Sequence, residues 1–419
     1  MSARLKPFLS ALLALLLVAG AAAQSGVDAT QASEIFSEID GILKDLRDIT
    51  GFRIRHRVPA EIITRDKVKE FLEKRIKEAS TPEEIRVEEL TLKKFGYVPQ
   101  DFDLAKNTVD LLTEQAAAFY DFHRKRLFIT DWTPSDTREP ALVHELGHAL
   151  ADQNVNLEKF IKQGQKSDDG SLARLAVMEG QASWLMAEYL ARKAGQSLAN
   201  SPLLLETMAK TIETGASQFP VFESEPLYLR ETLVFPYSQG LLFQNAVYQR
   251  TKQKAFEDVF RRPPVSTQQI IHPDKYFAGL EPSKPELPRL PDAHGYKKIA
   301  DGTLGELDHS ILLEQYAGRE DSQSLSLHWR GGAYALMERH DPSRVVMQYA
   351  VEWDDAPSAA RYFALYRKIL EKKWKHMTIE SESPNSLAGT GDDGHFLIIL
   401  NGARFTSLEG AEEPLAPVR

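Results

Sequence analysis

The sequence TREPALVHELGHALADQ occupies residues 137–153 and places the pattern H-E-x-x-H inside an apolar helical repeat. Residues four apart lie on one face of a helix, so His144 and His148 can present two imidazoles to one metal ion. Glu145 directly follows the first histidine and is expected beside the open position of that metal, where water binds. The stretch therefore predicts a helix that carries a zinc site.

The flanking residues favour a helix that is buried on one side. Residues 136–140 supply an N-terminal cap, an early glutamate and a first-turn proline. Two histidines that only bonded to backbone would explain neither the spacing nor the glutamate, so we favour metal binding. The apolar face consists of Leu142, Val143, Leu146, Ala149 and Leu150.

A third ligand is expected further along the chain, because a catalytic zinc ion needs three protein ligands and one open position. Residues 171–194 return to helical periodicity, and Glu179 lies there among apolar neighbours. A lone carboxylate in such surroundings is costly unless it is paired or bound to a cation. Glu179 is therefore the predicted third ligand, and Glu188, which we expect nearer the polar face, is its rival.

The two motifs together resemble a known family. HELGH at residues 144–148, followed by a helix with EGQA at residues 179–182, is similar to the gluzincin branch of zinc metallopeptidases, the thermolysin-like arrangement. The resemblance extends over residues 119–190 and more weakly to residue 276. It implies that His144, His148 and Glu179 bind Zn²⁺ and that Glu145 is the general base in peptide hydrolysis.

The chain departs from thermolysin at Ser183, where an aspartate would orient the first histidine. Asp152, four residues after the second histidine, is expected either to support that histidine or to form a plain salt bridge. Peptide hydrolysis also benefits from a donor to the developing oxyanion. The candidates are Tyr237 and His272, although most of residues 226–276 is expected to be structural.

The first 23 residues have the features of a secretory signal peptide. Arg4 and Lys6 precede an apolar run at residues 8–20, and three alanines end the segment at Ala23. The run is short for a membrane span, so a retained anchor is the weaker alternative. We expect cleavage after Ala23 and an exported protein, periplasmic or extracellular, without stable membrane insertion.

Composition narrows the expected partners. The 419 residues include no cysteine, so core packing rather than disulfides must stabilise the fold in an oxidising compartment. The formal net charge is −9, and the basic residues are spread along the chain rather than gathered into a patch. The sequence therefore does not predict nucleic-acid binding. A peptide or protein substrate is the expected partner.

The predicted fold class is α+β, with a mainly helical zincin-like domain that has a small edge sheet at residues 24–298. A proline-rich linker at residues 281–291 precedes a small α+β domain at residues 299–419. In the first domain, periodicity predicts helices at residues 28–53, 66–79 and 82–95, a strand at 58–64, a hairpin at 117–131 and a polar connection at 157–171. His123, in the hairpin turn, is expected to be solvated.

Further along, a helix is predicted to begin at residue 235 and run to residue 252, followed by a short capped helix near residue 266. In the second domain, strands are predicted at 325–329, 333–337 and 345–353, a helix at 356–373, and a terminal hairpin at 395–408. The aromatic residues of this domain are expected to form its core.

These observations predict an exported zinc-dependent peptidase in which Glu145 accepts a proton from water. The alternative is a non-catalytic binding module, in which zinc stabilises a peptidase-like scaffold. Zinc is inferred from the donor set, and the same donors admit other divalent ions.

Overall fold

The computed structural model describes residues 29–165, 167–340 and 343–415. The predicted signal peptide and its cleavage site therefore lie outside the described residues. The described chain has the α+β fold expected from the sequence, with a mainly helical first part and a seven-stranded antiparallel sheet after residue 296. No helix within the described ranges is long and apolar enough to cross a membrane.

The first part is built from helices of very different length. Three short 3-10 turns, Leu198–Asn200, Ala216–Gln218 and Lys252–Lys254, lie between them. The helices are α1 (Ala29–Thr50), α2 (Arg65–Ala79), α3 (Pro82–Phe95), α4 (Leu104–Gln115), α5 (Ser135–Val155), α6 (Leu157–Gly164), α7 (Asp168–Lys193), α8 (Pro202–Gly215), α9 (Pro220–Ser224), α10 (Leu227–Thr251), α11 (Ala255–Arg261), α12 (Thr267–Ile271) and α13 (Pro273–Ala278).

A small sheet lies beside α5. It contains β1 (Ala60–Ile63), β2 (Ala118–Asp121) and β3 (Arg126–Thr130), in the order β1-β3-β2. The predicted hairpin is confirmed as the antiparallel pair β2 and β3, whereas β1 runs parallel to β3. The strand β2 is therefore an edge strand, and its outer edge is next to the helix that carries the H-E-x-x-H pattern.

The large sheet has the order β4-β5-β6-β10-β9-β8-β7. Its strands are β4 (Lys297–Thr303), β5 (Trp329–His340), β6 (Ser343–Trp353), β7 (Thr378–Ser383), β8 (Ser386–Gly391), β9 (Gly394–Asn401) and β10 (Arg404–Ala411). The accompanying helices are α14 (Glu306–Ala317), α15 (Arg319–Ser326) and α16 (Ala356–Lys373). Helix α16 and the terminal hairpin β9–β10 agree with the sequence prediction. Of the aromatic residues expected in the core, Trp329, Trp353, Tyr362 and Tyr366 are buried there, and Phe363 is partly buried against it.

The structure overturns three local predictions. The polar connection expected at residues 157–171 is α6 and the start of α7, because Asn156 caps α6 and Leu157 and Phe160 are buried. Of the strand expected at residues 325–329, the first two residues end α15, the next two form a turn, and only Trp329 lies in a strand, as the first residue of β5. Helix α10 begins at Leu227 and continues through Pro236, since buried residues on both sides of this proline compensate for its missing hydrogen bond.

The two predicted domains share one hydrophobic core. Phe95 of α3 packs edge-on against Tyr334 and Tyr349 of the large sheet, with ring centroids 5.5 Å apart in each case. The predicted boundary near residue 298 coincides with the beginning of β4, and the linker before it has no helix or strand. The large sheet is thus joined to the helices by direct packing as well as by the linker.

Candidate metal centre

Close packing between α5 and α7 creates the centre. Gly147 of α5 faces Ala182 and Leu185 of α7, and a Cβ at this glycine would lie 3.6 Å from the Cα of Ala182. Such short separation of the helix backbones brings the side chains on either side of the contact together. His144 and His148, on α5, consequently face Glu179, on α7.

Three donor atoms of these residues converge on one point. Nε2 of His144 lies 3.1 Å from Oε2 of Glu179 and 3.1 Å from Nε2 of His148, and the third separation, from His148 to Glu179, is 3.2 Å. A tetrahedral zinc ion with bonds of about 2.0–2.1 Å separates its ligand atoms by about 3.4 Å. The distances therefore fit one face of a tetrahedron around a metal ion.

Unsatisfied polar atoms at the same place support this fit. His144, Glu145 and Glu179 have 0% of their surface exposed, and His148 has 3%. Nδ1 of His144 and Oε1 of Glu179 are buried without a hydrogen-bond partner. A buried carboxylate oxygen without a partner is costly, and a cation bound at Glu179 would offset that cost, whereas Nδ1 of His144 points away from the Nε2 donor and would stay unpaired. The triad can thus hold a metal ion, and its nitrogen and oxygen donors suit zinc among other divalent ions.

The pKa shifts of the three triad residues also favour a bound cation. Burial lowers the pKa of His144 to about 4. Burial is the largest influence on His148 and disfavours its charged form, but the hydrogen bond to Glu179 and the charges of Glu179, Glu145 and Asp152 together outweigh burial and raise the pKa of His148. For Glu179 burial would raise the pKa, yet the neighbouring histidines lower it. The centre therefore favours a carboxylate with positive charge beside it, which a divalent cation would supply.

Glu145 is held beside the triad by the edge strand. Its Oε2 accepts a hydrogen bond of 2.7 Å from the backbone N–H of Tyr120, on β2. Its Oε1 is buried and has no hydrogen-bond partner. Burial raises the pKa of Glu145 to about 8. One oxygen of this carboxylate is thus fixed, and the other is left for a further partner.

Asp152 forms the salt bridge that was one of its two predicted roles. It accepts hydrogen bonds from the Tyr120 hydroxyl at 3.0 Å, from Nζ of Lys125 at 2.5 Å and from the backbone N–H of Leu157 at 3.0 Å. No hydrogen bond joins it to His148 among the described residues. Asp152 therefore connects the end of α5 to the β2–β3 hairpin.

Glu188, the rival third ligand, is buried rather than near the polar face as we expected. It accepts hydrogen bonds from Arg192, from the Ser197 hydroxyl and from the backbone N–H of Leu198. These bonds fasten the C-terminal end of α7 to the following turn. Glu188 is accordingly a structural residue and takes no part in the triad.

The two candidate oxyanion donors lie in different surroundings. Tyr237, on α10, is buried, and its ring stacks over that of His144 with centroids 5.8 Å apart. His272 instead bonds through Nε2 to Oε1 of Glu306 at 2.7 Å, which also accepts from Gln268 through its other oxygen. The structure brings Tyr237 to the triad and gives His272 a role in joining α12 to α14.

One predicted residue lies away from the centre, and two features of the centre were not predicted from the sequence. His123 is half-buried, and its Nδ1 lies 3.3 Å from Glu158, away from the triad. Sequence reasoning missed the Tyr120 N–H, because a backbone donor leaves no trace in residue type. It also missed the contact between Gly180 and Gly240, although glycines inside helical patterns are a signal of close backbone approach.

Comparison of the chain with protein-family models, curated proteins and solved structures finds no match.

Proposed function

We propose that this protein is an exported zinc-dependent peptidase of the gluzincin type, with His144, His148 and Glu179 as the ligands. The observation that carries the proposal is the convergence of three donor atoms, with separations of 3.1–3.2 Å, beside a carboxylate that retains a free oxygen. Structural zinc sites use four protein ligands, whereas catalytic sites use three and keep one position open. Export rests on the N-terminal sequence pattern alone.

The side chains have distinct tasks in this proposal. When bound, zinc would supply a Lewis acid that polarises the scissile carbonyl and makes water more acidic. Tyr120 holds Oε2 of Glu145, so Oε1 takes the proton from the attacking water and passes it to the leaving nitrogen. Tyr237 donates its hydroxyl proton in a hydrogen bond to the developing oxyanion.

Complete burial of the triad favours a second function. The near-zero exposure of all four residues around the centre is typical of a structural site, from which solvent and substrate are excluded. A zinc-stabilised binding module is therefore the alternative. The two functions differ in one respect that can be measured directly, because only the peptidase depends on proton transfer by Glu145.

The test uses zinc-loaded wild-type protein, a Glu145→Gln variant and a chelator-treated sample, each incubated with casein and a broad peptide library. The amide is nearly isosteric but cannot act as a base, so we expect turnover to fall about 100-fold to 10,000-fold with zinc content unchanged. Undiminished cleavage by the variant would contradict the role of Glu145. No cleavage by zinc-loaded wild type would favour the binding module.

A further inference from the structure

Residues 53–57, with the sequence RIRHR, form an exposed connection between α1 and β1. All of these residues are exposed, whereas Phe52 before them and Val58 after them are buried. The chain is therefore anchored in the core at both ends of the segment, and a run of basic residues lies on the surface between the two anchors.

Two amide side chains at the end of α5 hold the backbone of this segment. Oε1 of Gln153 accepts hydrogen bonds from the backbone N–H groups of Arg55 at 2.6 Å and His56 at 3.1 Å, and its Nε2 donates to the backbone oxygen of His56 at 3.2 Å. Oδ1 of Asn154 accepts from the backbone N–H of Arg53 at 3.1 Å, and its Nδ2 donates to the backbone oxygen of the same arginine at 3.0 Å. The conformation of the segment is thus fixed through its backbone and does not depend on the guanidinium groups.

Carboxylates neutralise little of this positive charge. Arg53 and Arg55 form no ion pair with a carboxylate of the described residues, and Arg57 forms one, with Oδ2 of Asp40 at 2.8 Å. The Arg57 side chain is 87% exposed, so this pair is weak and Arg57 can exchange its partner for another anion. The aspartate in the last turn of α1 is bonded to the arginine that precedes it. The three arginines of the segment are therefore available to an external anion.

The 3-10 turn Lys252–Lys254 adds two exposed lysines to this side of the molecule. Nε2 of Gln253, between the lysines, donates to the backbone oxygen of Ile49 at 3.2 Å. A Cβ at Gly51 would lie 3.0 Å from the Gln253 side chain. The turn consequently packs against the end of α1, directly before residues 53–57. The fold thus gathers into one basic surface residues that are far apart in the sequence.

An apolar side chain lies within the basic surface. Ile54 is 37% exposed, and Arg53 and Arg55 flank it in the chain. A soluble polyanion offers phosphate groups to the arginines but no apolar phase to the isoleucine. A lipid bilayer offers both, because its phosphate headgroups lie directly above the acyl chains. The combination of arginines with an exposed isoleucine therefore fits a lipid surface better than a soluble anion.

We propose that the basic surface, residues 53–57 with Lys252 and Lys254, binds the anionic surface of a lipid bilayer. The planar guanidinium groups bind lipid phosphates through paired hydrogen bonds, and Ile54 enters the boundary between headgroups and acyl chains. The whole chain has a formal net charge of −9, so the attraction depends on this local surface and not on the overall charge. The association is peripheral, and it does not rest on the proposed peptidase activity.

The experiment measures co-sedimentation of zinc-loaded protein with two kinds of vesicle, phosphatidylcholine alone and equal parts of phosphatidylcholine and phosphatidylglycerol. Every variant carries residues 24–419, because the apolar run of the predicted signal peptide would itself bind lipid. We expect wild type to bind only the mixed vesicles. Raising the salt concentration from about 0.1 M to about 1 M should release it, since the Debye length then falls from about 10 Å to about 3 Å.

Arg53→Gln combined with Arg55→Gln should lower the affinity for mixed vesicles about 25-fold, because each basic residue near an anionic bilayer contributes about 5-fold. Lys67→Gln combined with Lys77→Gln is the matched control. It removes the same charge from two exposed lysines of α2 that form no ion pair among the described residues, and it should bind as wild type does. Thermal melting of each variant separates loss of binding from loss of fold.

Ile54→Ser distinguishes a lipid surface from a soluble anion. It should lower the affinity for mixed vesicles about 5-fold to 10-fold, because the isoleucine no longer leaves water on binding. Its affinity for soluble polyphosphate, measured by calorimetry, should equal that of wild type, since the arginines are unchanged.

Three results would overturn the inference: no binding of wild type to mixed vesicles, equal binding to both kinds of vesicle, or equal affinities of the double arginine variant and the lysine control. Unchanged affinity of Ile54→Ser for mixed vesicles would overturn the assignment to a lipid surface and leave a site for soluble polyanions. Each readout is binding alone, so the inference and the peptidase proposal can fail separately.

Discussion

Gly180 of α7 and Gly240 of α10 bring the backbones of these helices into direct contact. A Cβ added at Gly180 would overlap the carbonyl group of Gly240, and one added at Gly240 would lie 2.9 Å from the Cα of Gly180. Gly180 directly follows Glu179, and Gly240 lies one turn after Tyr237 on α10. The same contact therefore sets the positions of Glu179, a proposed metal ligand, and of the tyrosine that stacks on His144.

Replacement of Gly180 by alanine should disturb both the fold and the centre. The added methyl group meets backbone atoms that cannot rotate away, so we expect the free energy of unfolding to fall by about 3 kcal/mol and zinc affinity to fall with it. Gly41→Ala is the control, because Gly41 lies in α1 with open space around it and should gain up to about 1 kcal/mol. Urea unfolding and zinc titration measure the two effects. Wild-type zinc affinity in Gly180→Ala would contradict the proposed link.

The ligand set can be tested by metal content. His144→Ala, His148→Ala and Glu179→Ala should each strongly reduce the zinc bound by purified protein, since each removes one of three donor atoms. Glu188→Gln should keep its zinc, because Glu188 bonds to the turn after α7. Elemental analysis after gel filtration decides the matter, and full zinc occupancy in Glu179→Ala would show that the third ligand is another residue.

Tyr237 is expected to act in turnover without binding metal. Tyr237→Phe keeps the ring that stacks on His144 and removes the hydroxyl, so zinc content should stay constant while turnover falls about 100-fold or more. His272→Asn should have a much smaller effect on turnover, since His272 bonds to Glu306. Steady-state rates on the library peptide compare the two variants. Equal turnover in Tyr237→Phe and wild type would remove Tyr237 from the mechanism.

A buried histidine in the second part of the chain predicts how stability depends on pH. Nδ1 of His309 donates to the backbone oxygen of Gly305 at 2.8 Å, because a carbonyl oxygen only accepts. Its Nε2 is then free of a proton and accepts from the Tyr349 hydroxyl at 2.6 Å. Burial lowers the pKa of His309 to about 4. The folded protein therefore holds this imidazole in its neutral form.

The direction in which stability changes with pH follows from the lowered pKa of His309. An unfolded histidine takes up its proton near pH 6.5, before the folded one does, so His309 destabilises the fold as pH falls from 6.5 towards about 4. The free energy of unfolding that is lost through this residue approaches about 3 kcal/mol. His309→Gln should flatten the dependence of the free energy of unfolding on pH in that window. Identical slopes in wild type and His309→Gln would refute the assignment.

Several elements were predictable because their signals are local. Apolar periodicity and caps defined α5, α16 and the β2–β3 hairpin, and the H-E-x-x-H spacing placed two imidazoles on one helix face. Glu179 was identifiable because a carboxylate among apolar neighbours needs a partner. Prediction failed where helix propensity was weak. Residues 157–164 were predicted to be a polar connection, but they form α6 because Leu157 and Phe160 are buried.

The sequence by itself determined the donor types at the candidate centre, the helices that present them and the α+β class. Only the tertiary structure decided that Oε2 of Glu179 meets two imidazoles at 3.1–3.2 Å, that a backbone N–H of β2 holds Glu145, and that His272 pairs with Glu306. The physical reason is that periodicity and capping act within a few residues of the chain. Contacts between remote segments depend instead on how helix and strand surfaces pack, and a single glycine pair such as Gly180 and Gly240 can set that packing.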